Sequence, residues 1–297
     1  MRLIAFYGED AIRCGRIEGD VVVVGGPLDP TGRLGDEFED AIGWRSTDPQ
    51  ERVPLAGLEP ALIFLAPTKI VCVGLNYREH ATEGGREAPT KPLLFAKFSN
   101  TIVGDGDPVV RPEGTHALDL EVELGVVIGH RARRVTRDRA MDHVAGYVVV
   151  NDISARDWQG NPQALRAGEK GDGQWLRAKG SDTFLPMGPV FVSADELDPA
   201  AGLRLRSWRI DGDGIPFLMQ DASTADMIHD VPALVEFISS VITLEPGDII
   251  ATGTPSGVGV FRDPPMFLEP GDRVRCEIEG IGSVENPIVD WSDAPSA

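Results

Sequence analysis

The sequence predicts a strand-dominated α+β protein in which mixed β-sheets form the body and helices are few. Three observations carry this. Four apolar runs, KIVCVGLNY, EVELGVVIG, GYVVVND and GDIIATGTP, read as buried strands, and each ends in polar or glycine residues. One long stretch, residues 224–242 (TADMIHDVPALVEFISSVI), has apolar residues at the three- and four-residue spacing of an amphipathic helix. The strands do not alternate regularly with helices, which argues against a doubly wound fold.

Taken in order, residues 1–25 alternate short apolar runs with turn signals and suggest a small hairpin layer. Residues 26–66 carry Pro-Leu-Asp-Pro, acidic clusters and an apolar run, and read as a short helix plus loops. A boundary near residue 66 would separate a small N-terminal domain (1–65) from a larger unit (66–297) that holds the four buried strands. Between Ser154 and Lys179 the chain is polar and glycine-rich, too long for a simple connection, and suits a mobile lid. In the helical stretch Pro232 belongs in a first turn, so Asp230 rather than Thr224 is the expected cap.

Composition narrows the function. With 297 residues and 42% hydrophobic content the chain can bury a sizeable core. Its 28 Lys+Arg against 47 Asp+Glu give a net charge of −19, which disfavours nucleic acid and anionic membranes as partners. The same charge would repel an organic acid, so a site for one needs its own local cations. The first residues lack the apolar core of an export signal, and the apolar runs fall far short of the roughly 20 residues that span a bilayer. Cys14, Cys72 and Cys276 show neither metal nor redox spacing and read as reduced structural thiols, hence a cytoplasmic protein.

The most informative segment is Leu118-Asp119-Leu120-Glu121-Val122-Glu123-Leu124. On a strand its leucines and valine share one face and its three carboxylates the other, about 7 Å apart along the strand. Such a row fits a solvated edge or a cation site, and the segment alone leaves both open. Hard cations such as Mg²⁺ take oxygen ligands, and Asp152, where GYVVVND runs out into polar chain, is a third candidate. After the first buried strand, His80 and Glu83 would share a face of a helical turn, the arrangement of a base and its orienter, although a surface ion pair has the same spacing. Lys179 could meet an anionic ligand, and the backbone amides of Gly253 to Gly259 could bind a carboxylate. The other histidines, His116, His130, His143 and His229, lack ligand spacing. No nucleophile elbow or Cys/His pair supports covalent acyl transfer.

Six blocks, in order, are KIVCVGLNYREHATE, PLLFAKFSNTIVGDGDPVV, DLEVELGVVIG, GYVVVNDISARDWQ, AKGSDTFLPMGP and GDIIATGTPSGVG. Together they resemble the fumarylacetoacetate hydrolase superfamily, particularly its acylpyruvase and 2-hydroxyhepta-2,4-diene-1,7-dioate isomerase-like members, over roughly residues 66 to 290. The resemblance implies a mixed β-roll of that type and a homodimer. It implies that Glu121, Glu123 and Asp152 bind Mg²⁺ or Mn²⁺, and that His80, Glu83, Gln159 and Lys179 are catalytic. It also implies that Arg156, Thr254 and Gly253 serve the substrate, a small anionic 2-oxo acid. Animal fumarylacetoacetate hydrolases carry a further Asp ligand before the histidine; here that stretch reads Val71-Cys72-Val73-Gly74, so three carboxylates are expected, with Asp119 left out.

The function so implied is metal-dependent hydrolysis of a carbon–carbon bond in a 2,4-dioxo acid, with His80 drawing a proton from water. The alternatives are an oxaloacetate-type decarboxylase, a hydroxymuconate-type isomerase on the same site, or a binding protein that keeps only the scaffold.

Overall fold

The computed structural model describes residues 1–27, 51–62 and 67–294. The strands are β1 (Arg2–Tyr7), β2 (Ile12–Glu18), β3 (Val21–Pro27), β4 (Arg52–Pro54), β5 (Pro60–Ala61), β6 (Ile70–Gly74), β7 (Leu93–Lys97), β8 (Ile102–Val103), β9 (Val109–Arg111) and β10 (Leu118–Asp119). There follow β11 (Val122–Ile128), β12 (Val144–Asn151), β13 (Ser154–Ala155), β14 (Leu185–Pro186), β15 (Val190–Ser193), β16 (Arg204–Ile210), β17 (Pro216–Ser223), β18 (Ile249–Ala251), β19 (Arg273–Ile278) and β20 (Gly282–Asp290). The α-helices among the described residues are α1 (Arg78–Glu83), α2 (Arg156–Gln159), α3 (Trp175–Gly180) and α4 (Val231–Ser239).

Eleven strands form one mixed sheet in the order β4-β3-β2-β1-β15-β12-β11-β18-β6-β7, with β5 also on β1. Only β18 and β6 run parallel in it. A second sheet, β17-β16-β19-β20-β9, covers part of one face, and β10-β13 and β14-β8 make two short pairs. The apolar runs are continuous because the central strands are buried on both faces. Along β6, Val71 and Val73 enter one cluster with Leu205, Leu234 and Cys276, while Ile70 and Cys72 enter another with Leu3, Met187 and Phe191. A period of two thus feeds two cores from one strand.

Strand β1 pairs with β15, so residues 1–27 extend the large sheet, and Leu3, Ala5 and Cys14 share a cluster with Ile70 and Val127. Of residues 26–66, for which a short helix plus loops is expected, 28–50 and 63–66 lie outside the described residues, as does the expected boundary near 66, and 51–62 carry β4 and β5. Helix α4 is shorter than the 224–242 stretch and starts where expected: Asp230 Oδ1 accepts from Ala233 N at 3.0 Å with Pro232 in the first turn.

Two expectations change in detail. The acidic segment is not one strand, because β10 ends at Asp119 and β11 begins at Val122. Between them Glu121 leaves the ladder; its N–H donates to the Asn151 side chain and its C=O accepts from Asp152 N, both at 2.9 Å. The Ser154–Lys179 stretch is pinned at both ends, with Ser154 to Trp158 and Ala178–Lys179 buried. Its continuously exposed part is residues 166–174.

Candidate active site

The interruption after β10 brings three carboxylates to one point. One oxygen each of Glu121, Glu123 and Asp152 lies within 4.8 Å of the others, and all three residues are buried. The solvated-edge reading of the acidic row is therefore excluded: Asp119, Glu121 and Glu123 are at most 5% exposed.

Buried anions at this spacing need compensation. Lys179 Nζ donates to Glu121 Oε2 and Asp152 Oδ2, each at 2.7 Å. Arg156 bridges Asp119 at 2.8 Å and Glu121 at 2.6 Å, and also donates to Gln159 Oε1. Lys97 Nζ lies 2.7 Å from Asp152 Oδ1 and donates to the carbonyls of Ile153, Lys179 and Phe184. Four carboxylates thus face three cations, and Glu123 is the one no Lys or Arg nitrogen pairs with among the described residues; the Gly253 N–H donates to it at 2.8 Å. Burial, then Asp152 and Glu121, push its carboxyl well above the ordinary value. For Glu121 burial acts the same way, but Lys179 and Arg156 outweigh it and hold that carboxyl well below. Burial would lower Lys179, yet Asp152 and Glu121 raise it above the usual lysine range, so it stays a cation. A buried set of three carboxylate oxygens, one of them on a residue that no Lys or Arg pairs with among the described residues, fits a hard divalent cation.

The glycine loop after β18 also serves this cluster. Gly253 N is spent on Glu123, Gly257 N on Glu83 Oε2 at 2.9 Å, and Gly259 N and Val260 N on Asp119 at 2.8 and 3.1 Å. These amides, expected to receive a substrate carboxylate, bind the protein's own carboxylates. Two positions in the loop exclude a side chain: Gly253 has φ +97° and a Cβ there would lie 2.7 Å from Asn76 Cβ, while at Gly257, φ +102°, it would lie 2.3 Å from Met219 O. Thr254 Oγ1 donates to Val122 O and accepts from Gln220 Nε2, so its hydroxyl too is engaged.

Helix α1 places His80 and Glu83 on one face, with Nδ1 2.7 Å from Glu83 Oε1. Glu83 is itself held by the Gly257 N–H, and His80 is 6% exposed. His80, Glu121, Glu123, Arg156, Gln159, Lys179 and Thr254 all line one cavity of about 300 Å³. Asp152 is fully buried behind it. Leu75 enters this cavity with φ +55°, a strained conformation at the end of β6.

Residues 69–289 match the family model described as fumarylacetoacetate (FAA) hydrolase C-terminal. The chain belongs to the fumarylacetoacetate hydrolase family. Among curated relatives, the mitochondrial oxaloacetate tautomerase fahd2 of Xenopus laevis is 44% identical over 223 residues, 75% of this chain and 66% of its own length, just under two thirds. A human mitochondrial oxaloacetate tautomerase is 43% identical over 230 residues, 76% of this chain and 69% of its own. Among solved structures, 2-hydroxyhepta-2,4-diene-1,7-dioate isomerase from Mycobacterium marinum aligns with TM-score 0.77 at 36% identity, over 99% of this chain and 100% of that one. The fumarylacetoacetate hydrolase of Exiguobacterium antarcticum gives 0.79 at 33% identity, over 98% and 99%.

In this fumarylacetoacetate hydrolase family protein the strand-dominated fold matches that of its relatives. Sequence reasoning missed Lys97, whose signal was a lone lysine closing the apolar strand LLFAK, and Gln220, which had none. It left Asp119 without a part, whereas the carboxylate holds Arg156 and the glycine loop. Asn76, just before α1, donates to the carbonyls of His229 and Thr252 and accepts from His229 N. The remaining histidines are not gathered at the carboxylates; His116 and His229, for instance, contact the backbone carbonyls of Ala164 and Pro89.

Proposed function

We propose that this protein catalyses proton transfer next to the keto group of a small 2-oxo acid, interconverting keto and enol forms. The observation that carries this reading is the His80–Glu83 pair fixed in the same cavity as the buried carboxylate triad. With Nδ1 engaged by Glu83, Nε2 is the nitrogen left to exchange a proton with a ligand. His80 would take a proton from the carbon beside the keto group, the electron pair moving onto the keto oxygen, and return it to oxygen as the enol forms.

Glu121, Glu123 and Asp152 would hold Mg²⁺ or Mn²⁺, which when bound supplies positive charge to the substrate's carboxylate and keto oxygens. Lys179, kept protonated by its carboxylates, is a hydrogen-bond donor rather than a base. Gln159 and Thr254 flank the ligand, and Arg156 holds Gln159 and Glu121 in place. The 166–174 segment would close over the cavity. Three free, buried thiols fit the proposed reducing, cytoplasmic setting.

Support for proton transfer over bond cleavage comes from the relatives named as oxaloacetate tautomerases and a dioate isomerase. The hydrolysis expected from the resemblance becomes the second reading, favoured by the likeness to the Exiguobacterium antarcticum hydrolase. Product analysis of the Mn²⁺-loaded protein separates them. Faster enol–keto conversion of oxaloacetate with acetylpyruvate left intact is expected; acetate plus pyruvate from acetylpyruvate would establish the hydrolase instead, and pyruvate plus CO₂ from oxaloacetate a decarboxylase.

A further inference from the structure

Of the three cationic side chains that line the cavity, two are already committed. Arg156 is held by Asp119 and Glu121, and Lys179 by Glu121 and Asp152. The third, Arg86, is exposed at the cavity rim, and no carboxylate among the described residues pairs with it. In a chain of net charge −19, an arginine left unpaired at the mouth of a cavity is a ready partner for an anion.

Its position is built in. Just past the end of helix α1, Gly85 has φ +65°, and Gly85 N donates to Thr82 O at 2.9 Å while Arg86 N donates to Ala81 O at 2.8 Å. This is the paired bonding of a Schellman motif, which locks the backbone of residue 86 to the last turn of the helix that carries His80 and Glu83. The Arg86 side chain therefore starts from a fixed point relative to the proposed base. The committed cations and the triad would engage the keto-acid end of a ligand. A second carboxylate at its far end would find in Arg86 the planar, bidentate donor suited to it.

From this arrangement we infer that Arg86 receives the distal carboxylate of a short 2-oxo dicarboxylate and so selects dioates over singly charged 2-oxo acids. The inference rests on the 2-oxo acid reading of the site. It adds that recognition of chain length and charge sits on the C-terminal cap of α1, apart from the carboxylates.

The test is calorimetric binding to the Mn²⁺-loaded protein of two acids alike in chain length, 2-oxoglutarate and 2-oxopentanoate, which differ in having a carboxylate or a methyl at the far end. The native protein binds 2-oxoglutarate the tighter. Arg86→Gln weakens it about tenfold, equivalent to ~1.4 kcal/mol, and leaves 2-oxopentanoate unchanged; Arg86→Lys recovers part of the loss. Equal affinity of the native protein for the two acids, or equal loss of both in Arg86→Gln, would overturn the assignment while leaving the 2-oxo acid site standing. Binding of neither acid would remove that reading and the assignment with it.

Discussion

Lys97 sits at the end of an apolar strand, 1% exposed, with one anion and three carbonyl oxygens around its ammonium. Burial lowers its pKa, partly offset by Asp152. Removing one partner of a buried ion pair costs ~3–5 kcal/mol because the other is stranded. In Lys97→Met, Asp152 loses that partner, so we expect a lower melting temperature and a metal affinity reduced ~10–100-fold, as for other residues that orient ligands. Titration with Mn²⁺ at a temperature where the variant is folded checks this; native affinity would show that Lys97 braces only the fold. The spacing of Glu121 with Glu123 and of His80 with Glu83 marked them as candidates in the sequence, and the family resemblance rather than the spacing set the solvated-edge and surface-pair readings aside. Lys97 and Gln220 were not legible there, because their partners are backbone groups and side chains brought near only by the fold, up to 98 positions away for Gln220 and Val122.

At the scale of elements, the loop from Thr252 to Val260 organises the site. Its amides hold Glu123, Glu83 and Asp119, one from each part of the constellation. Gly257→Ala would put a Cβ 2.3 Å from Met219 O at a φ that alanine avoids, so the loop must shift and release Glu83. We expect turnover to fall at least ~10-fold while Mn²⁺, whose proposed ligands are not bonded by the Gly257 amide, still binds; unchanged turnover would show that Glu83 does not depend on this amide. The sequence marked this loop as a place for carboxylates but gave no sign that they were the protein's own. It showed β11 and β12 clearly, since their apolar runs reflect burial on two faces. It hid the break at Glu121, because an alternating pattern persists across a kink as readily as along a continuous strand.

Over the whole molecule, a net charge of −19 surrounds a cavity with one buried carboxyl, Glu123, that no Lys or Arg pairs with among the described residues. A divalent ion that binds the folded state at 100 times its Kd adds ~2.7 kcal/mol, or about 4 °C in melting temperature for a chain of this size. Glu123→Gln removes the buried carboxyl that lacks a Lys or Arg partner, and one proposed ligand, so the apo protein should melt no lower than native and gain little from Mn²⁺. A full Mn²⁺ shift in that variant would contradict the ligand set. The sheet architecture was legible because strand periodicity survives in a single sequence; the joining of β1 to β15 was not, because it pairs residues about 190 positions apart and leaves no local mark. The central claim, proton transfer by His80, is met most directly by following enol–keto conversion of oxaloacetate with the Mn²⁺-loaded native protein and His80→Gln, alongside Mn²⁺ binding to each. The account predicts conversion by the native protein that EDTA abolishes, and a ~10²–10⁴-fold slower rate in His80→Gln with Mn²⁺ still bound. Native-like conversion by His80→Gln, or none by the native protein, would contradict it.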